Sequence, residues 1–471
     1  MKLEAAKKLI KKHIQGHEGF TRQAIEADRY YRVQNDILTT PSREKRRREL
    51  EGEKENPLRT ADNRVANAFY PLLVDQKVAY MFTAPPLFDV KDDALNQYIA
   101  EILGDMYTKN AQELCVRACN AGRAWVHYWI DDNNTFRWAV VPSEQIISIH
   151  DPSIAHEVKA VLRTYKDIDD DSGETYTVYE YWTDTECEVF RTQSGDLELL
   201  EYAPVFELID NGQSEQTNVY QHNMGAVPFI EFRNNSIESS DLSRVKKLID
   251  AYDKVYSGFL NDLEDVQEVI FILTNYTGQD TFEFLNDLKF KKTVQIDSMG
   301  ADDRSGVSTL TIDIPVEARK EMLETTRKAI FDHGQGVDPT QQGLDGTSGE
   351  AMKFLYSLLE LKAGMTETEF RLGFNRLIRA ICHSKGRDDI GTITQTWTRT
   401  SIRNDAELVA MCSQSMGVIS RKTILKNHPF VDNAEDEEKE LQAEEEQDSM
   451  YPEGVGQKTT VKTEEGDNDD T

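Results

Sequence analysis

Two helix-patterned segments separated by a short glycine-rich stretch constrain the fold of this chain more than any other feature of its sequence. The first covers 315–333 and begins with Pro315, a residue typical of the first helical turn. The second covers 349–386, and Thr347 and Glu350 stand at capping-box spacing where it begins. At 1.5 Å per residue, the second segment would form a helix about 50 Å long. The fold must therefore accommodate one unusually long helix.

The stretch between these helices, 334–348, contains several glycines, among them Gly334, Gly336, Gly343 and Gly346. Glycine permits backbone conformations that other residues rarely adopt, and it lets a loop approach another surface closely. Taken alone, the stretch is most simply interpreted as a surface connection between packed helices. Other parts of the chain have to decide between that interpretation and a functional loop.

A further helix is predicted over 238–273. Its apolar residues recur every three or four positions for about seven turns, whereas acidic residues, including Asp253, occupy its other faces. The predicted packing face consists of Val245, Leu248, Tyr252, Val255, Phe259 and Leu263, and the pattern continues to Ile270. Periodicity does not distinguish a helix of an intramolecular bundle from one in a ring of identical subunits.

Other parts of the sequence have the pattern of β-structure. Short runs rich in Val, Tyr, Trp and Phe are separated by turn residues, which predicts an antiparallel sheet of hairpins. The predicted strands are 124–130, 136–141, 157–165, 175–182, 186–192, 196–202 and 229–232. Two more strands, 291–296 and 307–312, are expected in a small insertion, 275–314, which also carries a basic cluster of Lys289, Lys291 and Lys292. The predicted fold class is α+β.

The charge balance restricts the possible partners. The net charge is −30, and the segment 432–471 alone contains 16 acidic and 3 basic residues. Binding to the phosphate backbone depends on clustered Lys and Arg, so the overall field of this chain does not favour coating nucleic acid. The sequence contains no apolar run of the roughly 18 residues that a membrane helix needs and no secretory signal pattern, which predicts a soluble intracellular protein without membrane contact. The five scattered cysteines are expected to be reduced thiols.

The sequence carries no recognisable catalytic motif. It contains no phosphate-binding loop of the Gly-x-x-x-x-Gly-Lys type, no His-Glu-x-x-His and no Gly-x-Ser-x-Gly. The acidic turn around Asp167 to Gly173 fails as a calcium loop, since Ser172 and Val178 stand where an EF-hand needs glycine and glutamate. We therefore predict no catalytic site, no metal site and no cofactor.

Three segments in fixed order resemble the portal proteins of tailed bacteriophages, specifically those of long-tailed phages of Gram-positive hosts. The first segment, 63–86, agrees with the family pattern at Asn63, Arg64, Asn67, Phe69, Leu73, Val74, Asp75, Gln76, Lys77, Val78, Pro85 and Pro86. The second begins the long helix, with Thr347, Ser348, Gly349, Ala351, Phe354, Tyr356 and Lys362. The third contains Trp397, Thr398, Arg399, Asn404 and Glu407. Ala84 departs from the glycine common in the family.

The resemblance implies a portal fold with the parts arranged in chain order. These are an α/β wing, two stem helices around a small α/β clip, a tunnel loop, a long spine helix, a return strand to the wing, a helical crown and an acidic tail. The wing covers 1–237, the stem helices cover 238–273 and 315–333, and the clip covers 274–314 between them. The tunnel loop is 334–348, the spine helix 349–386, the return strand 387–404, the crown 405–431 and the tail 432–471. The acidic tail is expected to be disordered.

The same resemblance implies a function and partners. The chain would form a cyclic homo-oligomer, usually twelvefold, at one capsid vertex of the virion, after assembly in the host cytoplasm. Double-stranded DNA would pass through its channel without sequence specificity, and the partners would be the terminase large subunit, the head–tail adaptor, and the major capsid and scaffold proteins. Lys289, Lys291 and Lys292 are the expected clip contact. The expected DNA-facing loop residues are Gln335, Val337, Asp338, Thr340, Gln341, Gln342, Leu344 and Asp345.

Two other functions stay open from the residues alone. One is a regulatory subunit of a nucleic-acid enzyme, with 334–348 as a substrate lid. The other is a non-ring capsid or scaffold-type interaction protein that binds through its acidic tail.

Overall fold

The computed structural model describes the chain from residue 1 to 443 with gaps. The described residues are 1–39, 61–154, 157–169, 173–193, 195–210, 213–222, 224–266, 270–274, 306–310, 315–340, 349–399, 405–431 and 437–443. Contacts divide the chain into two compact units. The first consists of Met1–Gln341 with Tyr356–Thr400, and the second of Gln342–Leu355 with Ser401–Thr471.

The first unit begins with helices that surround a common apolar core. They are α1 (Leu3–Tyr31), α2 (Asp36–Thr39), α3 (Phe69–Met81), α4 (Asp93–Leu103) and α5 (Tyr107–Ala121). Pro71 lies in the first turn of α3, where its missing N–H has no cost. Asp92 caps α4, because its carboxylate accepts from the Leu95 amide N–H. Cys115 and Cys119 of α5 are fully buried free thiols, as predicted.

Antiparallel sheets follow the helices. Strand β12 (Phe229–Arg233) pairs with β2 (Arg123–Ile130), which pairs with β3 (Phe136–Val141). A six-stranded sheet contains β4 (Ile146–His150), β5 (Val158–Ile168), β6 (Thr175–Trp182), β7 (Glu186–Thr192), β8 (Glu201–Tyr202) and β11 (Val219–Gln221). Strands β9 (Phe206–Asp210) and β10 (Gln213–Thr217) form a separate hairpin. The predicted antiparallel pairing is confirmed, but the strands are divided among separate sheets and do not form a single one.

One predicted strand is wrong in part. The run 196–202 was expected to be extended throughout, but Leu197–Leu199 forms a turn of 3-10 helix and only Glu201–Tyr202 is a strand. The cause is local, because the Asp196 carboxylate accepts from the Glu198 amide N–H and closes the turn. Strand β1 (Leu87–Asp89) pairs with β15 (Thr394–Thr396), so the chain returns to its N-terminal half after the long helix.

Helices α6 (Leu242–Val266) and α7 (Val316–Gly334) pack against each other. Helix α7 has nearly the predicted bounds, but the prediction that the preceding helix continues to 273 is wrong. Residues Ile270–Thr274 form strand β13, which pairs with β14 (Gly306–Leu310). Four of its five residues are β-branched or aromatic, which favours a strand over a helix: Ile270, Phe271, Ile272 and Thr274. The predicted strand 307–312 corresponds to β14.

The long helix α8 (Gly349–Ser384) confirms the predicted element of about 50 Å. Phe370 and Phe374 of α8 are buried against Phe232 of β12, with ring centroids 5.3 and 5.1 Å apart. Gly373 lies between them, and a Cβ atom there would be 2.5 Å from the Phe232 ring. This contact fixes α8 against the three-stranded sheet.

The second unit contains α9 (Asp405–Gln414) and α10 (Arg421–Asn427). Ser420 caps α10, because its side chain accepts from the Thr423 amide N–H. Across the described ranges, every helix is too short or too polar to cross a membrane.

Candidate functional site

The best-defined polar constellation lies where α7 ends and the glycine-rich stretch begins. Gln335 terminates the helix in the left-handed conformation (φ 55°), and the Gly336 amide N–H donates to the Phe331 carbonyl at 3.0 Å. This arrangement satisfies carbonyl groups that the end of a helix leaves unpaired. We call 334–340 the loop anchor.

Three side chains from the surrounding helices hold the loop anchor. Gln76 of α3 donates from Nε2 to the Val337 carbonyl at 2.7 Å and accepts at Oε1 from the Val337 amide at 2.9 Å. Arg327 of α7 forms two hydrogen bonds, of 2.9 and 2.8 Å, with the Asp338 carboxylate. Arg244 of α6 donates to Gln335 Oε1 at 2.8 Å. The loop anchor is therefore attached to α3 through the backbone of Val337, and to α6 and α7 through the side chains of Gln335 and Asp338.

The first two glycines of this stretch allow close packing. A Cβ atom on Gly334 would lie 2.6 Å from Leu73 Cδ1, and one on Gly336 would lie 2.3 Å from Leu73 Cδ2. Real Cβ atoms do not approach other carbons so closely. Gly334 and Gly336 are therefore needed for packing, because they let the chain pass directly over Leu73.

A buried ionic cluster lies beneath the loop anchor. Asp241, which precedes α6, accepts from Lys77 Nζ at 3.3 Å and lies 3.0 Å from Lys362 Nζ. Asn234 links the group, since its Oδ1 accepts from Lys77 at 2.6 Å and its Nδ2 donates to Asp241 at 2.8 Å. Lys77 is 1% exposed, and Lys362 and Asp241 are each 6% exposed. Lys362 also donates to the carbonyl of Gly334 at 2.9 Å, which ties the cluster to the loop anchor.

The charges in this cluster stabilise each other. Burial by itself would raise the pKa of Asp241, but the ammonium groups of Lys362 and Lys77 and the amide of Asn234 hold that pKa well below its usual range. Burial would likewise lower the pKa of Lys77, yet the Asp241 carboxylate outweighs it and the pKa lies above the ordinary lysine value. Asp241 and Lys77 are therefore both charged at neutral pH. The arrangement joins α3, the start of α6, α8 and the end of α7 at one point.

A second polar contact runs along α6. Asp253, Ser257 and Asn261 recur every four residues and form one stripe of the helix, to which an extended segment, 63–67, is hydrogen-bonded. Alternate amide N–H groups of the segment donate to this stripe: Asn63 to Asn261 at 2.6 Å, Val65 to Ser257 at 3.0 Å and Asn67 to Asp253 at 3.0 Å. The spacing of alternate N–H groups in the segment matches the spacing of the acceptors on α6, because two extended residues advance about as far as one helical turn.

Asp253 was predicted to lie on a polar, solvated face, and this prediction is wrong. Its side chain is fully buried, and it accepts from Asn35 Nδ2 at 2.6 Å and Asn67 Nδ2 at 2.7 Å as well as from the Asn67 amide. Burial raises the pKa of Asp253, against these hydrogen bonds, which favour the ionised form. Three amide groups from two separate segments thus replace water around the carboxylate.

The predicted packing face of α6 is partly displaced. Val245 is buried, Leu248, Tyr252, Val255 and Phe259 are half-buried, and Leu263 is 43% exposed. Ile249 and Asp253 are fully buried instead, so the face in contact with the body of the unit is rotated toward them. Tyr252 packs edge-on against Phe69 at 4.8 Å between ring centroids, which connects α6 to α3.

The structure brings together only some of the predicted site residues. Gln335, Val337 and Asp338 are hydrogen-bonded in the loop anchor, and Thr340 is exposed and donates to Asp338. The remaining predicted residues lie outside the described residues: Gln341, Gln342, Leu344, Asp345, Lys289, Lys291 and Lys292. Within the described ranges, no cluster of His, Cys, Asp or Glu is arranged to hold a metal ion.

Sequence patterns missed the ionic cluster. Lys77 follows Asp75 and Gln76 in α3, and nothing in its vicinity along the chain identifies Asp241 or Lys362 as its partners. A lysine in the middle of the buried side of a short helix was the available signal, since buried lysines are almost always paired.

The chain matches a protein-family model over residues 10–451, and that family is described as "Phage portal protein, SPP1 Gp6-like". The portal protein of Clostridium phage phiCD119 is 41% identical over 431 residues, which cover 89% of this chain and 91% of that protein. The portal protein of Bacillus phage SPP1 is 30% identical over 480 residues, covering 98% of this chain and 90% of that protein.

A solved structure described as the neck of a native GTA particle, computed with C12 symmetry, is also similar. It is 9% identical, covers 76% of this chain and 89% of the other chain, and superposes with a TM-score of 0.40.

Proposed function

This chain belongs to the phage portal protein family of the SPP1 Gp6-like type, and from that membership we propose that it assembles into a cyclic ring of twelve subunits. Its function is that of a phage portal protein, which occupies a capsid vertex, connects head and tail and serves DNA packaging. Such a protein is a structural component of the virion. We infer that ATP hydrolysis during packaging belongs to a separate protein, the terminase large subunit, and that assembly takes place in the host cytoplasm.

The observation that carries the structural part of the proposal is the path of the chain through the helix pair. Helix α6 is followed by β13, which pairs with β14, and β14 precedes α7. We assign α6 and α7 to the stem of the ring, and β13, β14 and the residues between them to the clip. The loop anchor at the end of α7 then fixes the root of the tunnel loop.

The charge of α7 supports passage of DNA without retention. Its exposed residues include Glu317, Glu321 and Glu324, together with Lys320 and Lys328. A surface of mixed charge neutralises few phosphates, so contact with DNA would be weak. We propose that this exposed face, together with the tunnel loop, lines the channel.

The ring proposal is tested by electron microscopy of the purified full chain. Annular particles with a central hole are expected, and class averages give the subunit number. Monomers at all concentrations and salt conditions would count against a ring.

The tunnel loop is tested by deletion of 341–345, the predicted DNA-facing residues beyond the loop anchor. This deletion leaves the contacts of Val337 and Asp338 in place. Rings should still form, whereas packaged DNA per particle should fall strongly. The matched control is the substitution pair Gln341→Ala and Gln342→Ala, which keeps the loop length. Packaging unchanged by the deletion would contradict a role for this loop in translocation.

The clip contact is tested by reversing the charge of Lys289, Lys291 and Lys292 to Glu together. Capture of the terminase large subunit or of the head–tail adaptor by rings should be impaired. The matched control reverses Lys8, Lys11 and Lys12, three exposed lysines of α1. Equal capture by both triple variants would remove the assignment.

Membership of the portal family argues against the two other functions considered from the sequence, a regulatory subunit of a nucleic-acid enzyme and a non-ring scaffold-type protein. We propose contacts with the major capsid and scaffold proteins as part of the portal role.

A further inference from the structure

A cavity of about 630 Å³ lies between the three-stranded sheet and the last turns of α8. Its apolar walls include Ile130, Phe136 and Ile230 from the sheet and Ala380 from the helix, and the segment 224–227 closes one side. The residues that line this cavity take no part in the contacts described above for the loop anchor, the ionic cluster and the polar stripe of α6. A volume of this size accommodates several side chains of a bound segment.

Positive charge is concentrated at the rim of the cavity. Residues 371–387 contain five Lys or Arg and no Asp or Glu, in a chain whose net charge is −30. Two of the five, Arg371 and Arg387, pair with Glu367 and Asp92, whereas Arg376 and Arg379 line the cavity. Arg376, Arg379 and His383 recur at helical spacing along one side of α8, and all three contribute to the cavity.

Among the residues that the structure describes, no carboxylate pairs with the two arginines at the rim. Arg379 donates to the carbonyl oxygens of Ile390 and Gly391, both at 3.1 Å, so its contacts leave the charge unneutralised. Arg376 is exposed and forms no hydrogen bond or ion pair within the described part of the chain. Asp388 is the one carboxylate among the lining residues, and it is bonded to His383 Nδ1 at 2.5 Å. The rim therefore keeps two uncompensated guanidinium groups above an apolar floor.

We propose that this cavity is a docking site for an acidic segment of a second protein, which inserts an apolar side chain between the sheet and α8 while flanking carboxylates pair with Arg376 and Arg379. The guanidinium groups suit carboxylates because they bind both oxygens at once. The site is separate from the channel, clip and tunnel loop, and the proposal does not depend on them.

The geometry of the floor favours a peptide over a nucleic acid. Tyr128 and Phe136 stack on each other with centroids 5.3 Å apart, and they are 6% and 3% exposed. Single-stranded nucleic acids bind by stacking bases on exposed aromatic faces, and here those faces are covered. A concave apolar pocket with charges confined to its rim is suited instead to a side chain with acidic neighbours.

The test is fluorescence anisotropy of a fluorescein-labelled synthetic peptide, Glu-Asp-Phe-Asp-Glu, titrated with the full-length protein. Two peptide controls separate the contributions: Gln-Asn-Phe-Asn-Gln lacks the charge, and Glu-Asp-Ser-Asp-Glu lacks the apolar side chain. We expect the acidic peptide with phenylalanine to bind at least about tenfold more tightly than either control.

Two variants address the site itself. Arg376→Glu changes an exposed residue and should weaken binding at least about tenfold. Ala226→Trp should have the same effect by filling the cavity, because Ala226 is exposed at its edge. Arg22→Glu, an identical charge change at an exposed residue of α1, should leave binding within about twofold.

Three results would overturn the proposal. The first is absence of peptide binding, or equal weakening by Arg376→Glu and Arg22→Glu. The second is binding of a labelled oligonucleotide that Arg376→Glu abolishes while the peptide does not bind. The third is peptide binding that occurs only after removal of 432–471, which would assign the cavity to this chain's own acidic segment.

Discussion

Gln76 and Val337, separated by 261 positions in the chain, form a closed pair of hydrogen bonds in which the Gln76 side-chain amide satisfies both main-chain groups of Val337. The side chain acts as a short strand partner for a single residue of the loop anchor. The chain leaving α7 is thereby fixed against α3 at the place where the predicted tunnel loop begins. DNA moving past such a loop would exert force on its tip. A fixed root would keep that force from unwinding the helix that precedes the loop.

Gln76→Ala should destabilise the protein by about 1–3 kcal/mol, because it leaves the amide and carbonyl of Val337 without partners. Denaturant unfolding at a fixed protein concentration measures the effect. Gln97→Ala is the matched control, since the Gln97 side chain only bonds Glu101 on an exposed helix surface at 3.1 Å. A similar loss of unfolding free energy in both variants would show that the hydrogen bonds to Val337 contribute little to stability.

Asp241→Asn should be more damaging, because Lys77 and Lys362 would remain buried without a counter-charge. Breaking a buried ion pair in this way costs about 3–5 kcal/mol, enough to prevent accumulation of folded protein. Soluble yield and unfolding midpoint report the effect. Asp28→Asn removes an exposed pair with Arg32 and should cost no more than about 1 kcal/mol. A variant at Asp241 as stable as the one at Asp28 would contradict the role given to the cluster.

Two glycines of α8 should respond in opposite directions to the same substitution. Gly373→Ala places a methyl group 2.5 Å from the Phe232 ring and should destabilise by about 1–3 kcal/mol through overpacking. At Gly364 the nearest atom to a new Cβ is 3.9 Å away, so Gly364→Ala should be neutral or stabilise by up to about 1 kcal/mol through helix propensity. Thermal unfolding of both variants tests this, and a loss at both positions would refute the packing explanation.

Ser257→Ala should loosen the extended segment on α6. Loss of the hydroxyl leaves the Val65 amide without its acceptor, at a cost of about 1 kcal/mol. Hydrogen–deuterium exchange of peptides covering 61–68 should accelerate relative to the parent protein. Ser243→Ala, which removes an exposed hydroxyl bonded to the Ser240 carbonyl, should leave exchange of these peptides unchanged. Unchanged exchange in the Ser257 variant would argue against the polar stripe as the element that holds this segment.

His127 should make stability depend on pH. Burial lowers the pKa of His127 to about 4, although Nδ1 lies within hydrogen-bonding distance, 2.9 Å, of the Pro228 carbonyl oxygen. Because the folded pKa lies below the unfolded value of about 6.5, the stability contribution is complete above pH 6.5 and is lost as the pH falls toward 4.

Between about pH 6.5 and pH 5, His127 should therefore account for a loss of up to about 2 kcal/mol of unfolding free energy. His127→Phe should reduce the loss over this interval, measured by urea unfolding at both pH values. His333→Phe, at an exposed residue near the end of α7, is the control and should retain the parent's pH dependence. A pH dependence unchanged by His127→Phe would contradict the assignment.

Residue patterns were sufficient to predict much of the secondary structure. The helix predicted over 315–333 is Val316–Gly334, and that over 349–386 is Gly349–Ser384. Three strands have the predicted bounds: Phe136–Val141, Thr175–Trp182 and Glu186–Thr192. These elements succeed because their periodicity repeats over several turns or alternations, and because capping and turn residues mark their ends. The ordered motifs of 63–86 and the long helix also indicated the portal family.

Only the tertiary structure decided which polar residues are buried and which glycines are structural. Asp253 lies outside the apolar stripe of its helix, as an exposed residue would, yet it is buried and bonded to Asn35 and Asn67. Lys77 stands beside apolar residues of α3, yet it is buried because Asp241 supplies an opposite charge. Gly334 and Gly336 permit close contact with Leu73, which is distant in the sequence. Local patterns report the average environment of a residue, whereas the burial of a charge or the need for a missing Cβ depends on one specific partner that folding brings from elsewhere in the chain.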